Sequence, residues 1–157
     1  MWSIIGGTGF ERSETVSVIE ELDRETPFGQ ASSGLKRIRV GSAEALFVPR
    51  HGLHHELLPS EINYRANIFA LKRFGSTRVL SVSAVGSLSQ DLKPGDLALP
   101  SQYLDRTKSL REHTFCGKGL AGTCRKNHTE TKDGLSSFGE FWRSGLQSLA
   151  LGSANGL

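Results

Sequence analysis

The chain has 157 residues, 37% of them apolar and 22% charged, and carries a formal net charge of +3. A chain of about 150 residues can bury close to 70% of its unfolded surface, so one soluble domain with a sizeable core is expected. No apolar run approaches the ~20 residues of a membrane-spanning helix, which excludes that class.

Met1 leads straight into a strand-like run, without a basic segment or a long apolar stretch behind it. No secretory signal is therefore expected, and a cytoplasmic location follows by default. Trp2-Ser3-Ile4-Ile5 is short, apolar and stopped by Gly6-Gly7-Thr8-Gly9, the pattern of a buried strand in an α/β sheet. Residues 14–22 mix Val16, Val18, Ile19 and Leu22 with acidic residues and fit helix or strand equally. Turn chemistry follows at Glu25-Thr26-Pro27-Phe28-Gly29 and extends as a loop through Ala31-Ser32-Ser33-Gly34. Residues 35–40 and 44–48, split by Gly41-Ser42, predict a β-hairpin that delivers Arg50 and His51 at a strand end.

Pro59-Ser60 predicts a helix start, with Ile62, Ala66, Phe69, Ala70 and Phe74 at helical spacing and Gly75 as the stop. Residues 78–83 should then form a parallel strand, because strand, helix and a further β-branched run alternate as in α/β folds. Lys93-Pro94-Gly95-Asp96 places Pro and Gly where a type II turn wants them, and residues 97–100 read as another short strand. Beyond about Gly117 the composition turns to Gly, Ser, Thr and Lys. Phe138, Phe141, Trp142, Leu146 and Leu149 share one helical face there, although Gly139 and Gly145 each cost such a helix ~1 kcal/mol.

Three segments carry chemistry. The glycine turn at residues 6–9, the bracketed pair Pro49-Arg50-His51-Gly52 and the run Val82-Ser83-Ala84-Val85-Gly86-Ser87 all offer donors suited to an oxyanion. Glycines let backbone N–H groups converge, Thr8 and Ser83 add hydroxyls, and the Arg50 guanidinium is a planar fork shaped for phosphate. A tight turn, a solvated arginine and a half-buried histidine are the plain alternatives. The glycine turn matches neither G-x-G-x-x-G nor a Walker loop, so neither dinucleotide nor ATP is indicated. His51, His54, His55 and Glu56 lack the spacing of a helical zinc motif, and no metal is expected. Cys116 and Cys124 are too few for a disulfide framework and have no thiolate-activating surroundings. The basic residues Arg106, Lys108, Arg111, Lys118, Arg125, Lys126 and Lys132 lack interleaved aromatics, so a nucleic-acid partner is not indicated.

Taken in order, residues 4–9, 25–29, 49–52, Ile62-Asn63-Tyr64-Arg65-Ala66-Asn67, 83–88, 93–96 and Asp105-Arg106-Thr107 resemble the 5′-methylthioadenosine phosphorylase branch of the purine nucleoside phosphorylases. The Ser-Ala-Val-Gly run at residues 83–86 is similar to bacterial members acting on 6-oxopurine or methylthioinosine substrates. The resemblance implies an α/β/α sandwich around a mixed sheet, usually a homotrimer, that cleaves a purine nucleoside with inorganic phosphate as co-substrate and no other cofactor. By motif match Thr8, Arg50, His51, Ser83 and Ala84 would contact phosphate, the last through its backbone N–H. His55 matches a histidine of the same loop and receives no role.

The likeness runs from Met1 to about Phe115. It implies residues 1–116 as the N-terminal part of a phosphorylase domain and 117–157 as a divergent tail, read as a different frame or a remnant after a disruption. The family's later half supplies the sugar-holding segment, a Gly-Pro-Arg motif and the group that protonates the departing purine, and none is recognisable after Phe115. No catalytic acid is therefore assigned. Missing sheet strands would lower stability, and a catalytically inactive phosphate-binding domain is the alternative reading.

Overall fold

Strand β1 (Trp2–Gly6) runs through the interior of a five-stranded sheet, and its neighbours explain why its sequence is apolar on both faces. The computed structural model describes residues 1–7, 16–102, 104, 106 and 115. Strands β2 (Val16–Glu21), β3 (Lys36–Val40), β4 (Ala43–Pro49) and β5 (Arg78–Ser81) complete the sheet in the order β2-β3-β4-β1-β5. β1 pairs parallel with both β4 and β5, whereas β2–β3 and β3–β4 are antiparallel, so the sheet is mixed.

The hairpin expected around Gly41-Ser42 is present, with Val40 opposite Ala43 and Gly41 at φ +60°. A positive φ at the first loop residue is what a two-residue type II′ turn requires, and glycine supplies it without strain. Within the ambiguous segment 14–22, Val16–Glu21 form β2 at the exposed edge, where Glu20 bonds Arg37 of β3 at 2.7 Å.

Alternation along β4 sends Ala45 and Phe47 to one face and Leu46 and Val48 to the other, all fully buried. Phe47 and Ala45 pack with Ile4, Ile38 and Val40. Leu46 and Val48 pack with Leu35 and with Ala66, Ala70 and Leu71 of helix α1 (Tyr64–Arg73). Burying a side chain such as Leu71 contributes about 1.5–3 kcal/mol, so α1 is fixed to the sheet by its apolar stripe.

Helix α1 starts later than Pro59-Ser60 predicts. Asn63 is the N-cap, its side-chain oxygen accepting from Ala66 N–H at 3.1 Å. Residues 58–61 instead close a turn, in which Glu61 N–H donates to the Leu58 carbonyl at 2.9 Å and the Glu61 carboxylate accepts from Leu58 N–H at 2.8 Å. The C-terminus behaves as Gly75 suggests. Gly75 sits at φ +88°, its N–H bonds the Lys72 carbonyl and Ser76 N–H bonds the Leu71 carbonyl, which is a Schellman ending.

β5 stops at Ser81, two residues short of the expected end, although Val82 N–H still reaches the Ile5 carbonyl at 2.9 Å. The turn at residues 93–96 forms, with Asp96 N–H on the Lys93 carbonyl at 3.0 Å and Gly95 at φ +92°. The strand expected at 97–100 does not. Leu97 and Leu99 are 72% and 65% exposed, and among the described residues no strand lies alongside to complete a ladder. The helical face proposed at 138–149, both cysteines and the segment 117–157 lie outside the described residues.

Candidate functional site

Register places the three donor segments side by side. Gly6 pairs with Pro49 across β1–β4, and Ile5 with Ser81 across β1–β5. The next residues along each strand, Gly7, Arg50 and Val82-Ser83, therefore emerge at one edge of the sheet, the carboxyl ends of three adjacent parallel strands. That is where open α/β sheets bind ligands.

Arg50 links these strand ends. Its N–H donates to the Gly6 carbonyl at 2.9 Å, and its Nη1 crosses over β1 to the carbonyl of Val82, just after β5, at 2.7 Å. Its Nε donates to His51 Nε2 at 3.1 Å. That bond makes Nε2 an acceptor, so the proton of a neutral ring sits on Nδ1, which donates to the Leu57 carbonyl at 2.9 Å. The His51 ring stacks on His55, with centroids 4.6 Å apart and planes 15° from parallel. Both His51 nitrogens are thus committed, and among the described residues no group of three His, Cys, Asp or Glu side chains is placed to hold an ion.

The backbone fold of this loop depends on Gly52. It is buried at φ +83°, and Glu56 folds back beneath it, accepting from Ser33 Oγ at 2.6 Å and from His54 N–H at 2.8 Å. Ser33 Oγ in turn accepts from Leu53 N–H at 2.8 Å. A Cβ at Gly52 would meet Glu56 Oε1 at 2.2 Å. Gly52→Ala is thus expected to lose about 1–2 kcal/mol from the left-handed backbone and to expel the carboxylate from its bonds, read as a lower urea midpoint.

The Ser33 hydroxyl, then the Glu56 and His54 backbone amides, hold the Glu56 carboxyl below the ordinary carboxylate value. A depressed folded-state pKa stabilises the loop above the unfolded value, and that contribution is lost as pH falls through the folded one. Hydrogen-exchange protection of the 51–57 amides should therefore fall only below the usual carboxylate range. In Glu56→Gln that acid transition should be missing.

Ser83 and Ala84 follow β5 in an extended, exposed segment beside Arg50's bond to Val82, so Arg50, His51 and the Ser83 segment share one sheet edge. Thr8 lies outside the described residues, directly after Gly7. Sequence reasoning missed Ser32 and Ser33 and weighed Glu56 only as a metal ligand, whereas all three support the Arg50-His51 loop; a hydroxyl pair in a loop carries no motif. From sequence, Asn63 and Asn67 read either as helix surface or as a helix start that lends packing and hydrogen bonds to the phosphate loop. Their side chains make hydrogen bonds inside the protein, Asn63 Nδ2 donating to the Phe28 carbonyl at 2.7 Å and Asn67 bonding Ser32. A cavity of about 400 Å³ on the β2 side is lined by Glu21, Asp23, Arg24, Glu25, Gln30 and Ser33. Its carboxylates would repel an anion, so the sheet edge is the better oxyanion site.

A mixed sheet with polar groups gathered at the carboxyl ends of its parallel strands defines an α/β protein. The family model of the Phosphorylase superfamily matches residues 3–139, and the chain belongs to that superfamily. The boundary suggested at residue 116 falls inside that match. Among curated proteins it is similar to the S-methyl-5′-thioadenosine phosphorylase of Geobacter sulfurreducens, 43% identical over 117 residues that cover 74% of this chain and 41% of the relative. The enzyme of the same name from Rhodospirillum rubrum is 46% identical over 125 residues, 80% and 42% of the two chains. The methylthioadenosine phosphorylase of Schistosoma mansoni in its apo form superposes with a TM-score of 0.54 at 44% identity, over 60% of this chain and 34% of that one. A further structure of that enzyme is a complex with adenine. The chain spans about two fifths of the length of these curated relatives.

Proposed function

We propose that this chain supplies the phosphate-holding part of a phosphorylase that cleaves a purine nucleoside of the 5′-methylthioadenosine class. Phosphate oxygen attacks the anomeric carbon, the bond from that carbon to the purine nitrogen breaks, and its electron pair leaves with the base. The products are free purine and a pentose 1-phosphate. Phosphate is a modest nucleophile, so the protein's task is to hold it in line while positive charge develops on the sugar. Arg50 would grip it as a fork, with the Thr8 and Ser83 hydroxyls adding contacts and His51 and Ala84 their backbone N–H groups, since both His51 ring nitrogens are bonded within the protein. A homotrimer working in the cytoplasm belongs to the same proposal.

The observation that carries the reading is the Arg50 guanidinium spanning from the end of β4 to the Val82 carbonyl after β5. The named activity of the relatives favours an enzyme over an inactive phosphate-binding domain. The test is release of adenine from 5′-methylthioadenosine with and without inorganic phosphate. Saturable, phosphate-dependent release supports the reading. Phosphate binding without release would leave only the inactive domain, and release indifferent to phosphate would remove both.

A further inference from the structure

Arg50 is held at its peptide as well as at its side chain, and the peptide bonds trace back to helix α1. The Arg50 carbonyl accepts from Ser32 Oγ at 2.9 Å. Ser32 is gripped twice by Asn67, whose Oδ1 accepts from Ser32 N–H at 2.8 Å and whose Nδ2 donates to Ser32 Oγ at 3.0 Å. Both residues are buried, 2% exposed for Asn67 and 3% for Ser32.

Donor bookkeeping gives this chain of bonds one direction. Ser32 N–H requires an acceptor, which fixes the amide oxygen of Asn67 there and turns its NH2 to the hydroxyl. A hydroxyl that accepts from NH2 has its single hydrogen available for the Arg50 carbonyl. With the Arg50 N–H on Gly6 at 2.9 Å, both peptides flanking the Arg50 Cα are pinned, and the guanidinium leaves from a fixed root.

We propose that Asn67 is a positioning residue, acting through Ser32 to aim the Arg50 guanidinium at phosphate. The proposal rests on Arg50 being the phosphate fork. Removing the Ser32 hydroxyl leaves the Arg50 carbonyl without its donor and lets the loop shift, and displacements on an ångström scale are costly in such sites.

The variants are Ser32→Ala, Ser32→Thr and Asn67→Asp. In Asn67→Asp the new carboxylate oxygen accepts the Ser32 hydroxyl hydrogen, reversing the bond while keeping the shape. Ser32→Ala and Asn67→Asp should each raise the KM for phosphate about tenfold, with the KM for nucleoside unchanged, and Ser32→Thr should restore it. Arg50 Nε–H exchange, followed by NMR in phosphate-free protein, should quicken in Ser32→Ala alone of the two serine variants. Exchange and phosphate KM both unchanged in Ser32→Ala would overturn the proposal, as would an equal rise in both KM values. A wild-type chain that releases no base, yet shows faster Nε–H exchange in Ser32→Ala, would refute the phosphorylase reading and leave the positioning link standing.

Discussion

Replacing Arg50 with alanine is expected to lower kcat/KM for phosphate about 10²- to 10³-fold, the loss seen when a preorganised donor to a developing anion is deleted. Arg50 is the residue that joins the ends of β4 and β5, through its Nη1 on the Val82 carbonyl and its Nε on His51. A guanidinium presents five N–H donors in one plane, so it can keep both protein bonds and still face a phosphate. Arg50→Lys preserves the charge but has no fork to make these bonds together, and it should recover little of the loss. The measurement is initial rate against phosphate at saturating nucleoside. Arg50 is half-buried at the sheet edge, outside the apolar clusters, so its urea midpoint should barely move. An unchanged kcat/KM in Arg50→Ala would remove this residue from the phosphate site.

What the sequence reveals and what it hides divide along the range of the interactions. β1, the 41–42 hairpin and the body of α1 are legible because a strand bounded by glycine, a two-residue turn and a 3.6-residue apolar period are local signals. Arg50 and His51 stand out because Pro49 and Gly52 bracket them, and Gly52 does adopt the positive φ such bracketing suggests. The start of α1 is misread because residues 58–61 close a turn, with the Glu61 carboxylate on Leu58 N–H, and Asn63 caps the helix instead. β2 is ambiguous because edge strands carry polar residues on both faces, which removes their period. The roles of Ser32, Glu56 and Asn67 are hidden because their partners lie 18 to 35 positions away, at Arg50, Ser33 and Ser32. Only tertiary packing brings them to the loop.

Phe47→Ala is expected to cost about 3–5 kcal/mol, the range for deleting a fully buried aromatic and leaving a cavity. Phe47 has no exposed surface and packs among Ile4, Ile38, Val40 and Ala45, drawn from three strands, so no single element can collapse into the space. Its ring also lies against the last residue of β1, since a Cβ on Gly6 would come within 3.2 Å of its Cε2. A domain is typically stable by about 5–15 kcal/mol, so the alanine variant should show a much reduced urea midpoint or fail to fold. Phe47→Leu, which keeps most of the volume, should cost about 1 kcal/mol and remain measurable. The kinetic signature should be the reverse of that for Arg50. The folded fraction of Phe47→Leu should keep the phosphate KM of the wild type, because the ring packs in the apolar cluster with Ile4, Ile38, Val40 and Ala45. A raised phosphate KM with an unaltered urea midpoint would mean that Phe47 shapes the anion site directly, contrary to the separation of core and site described above.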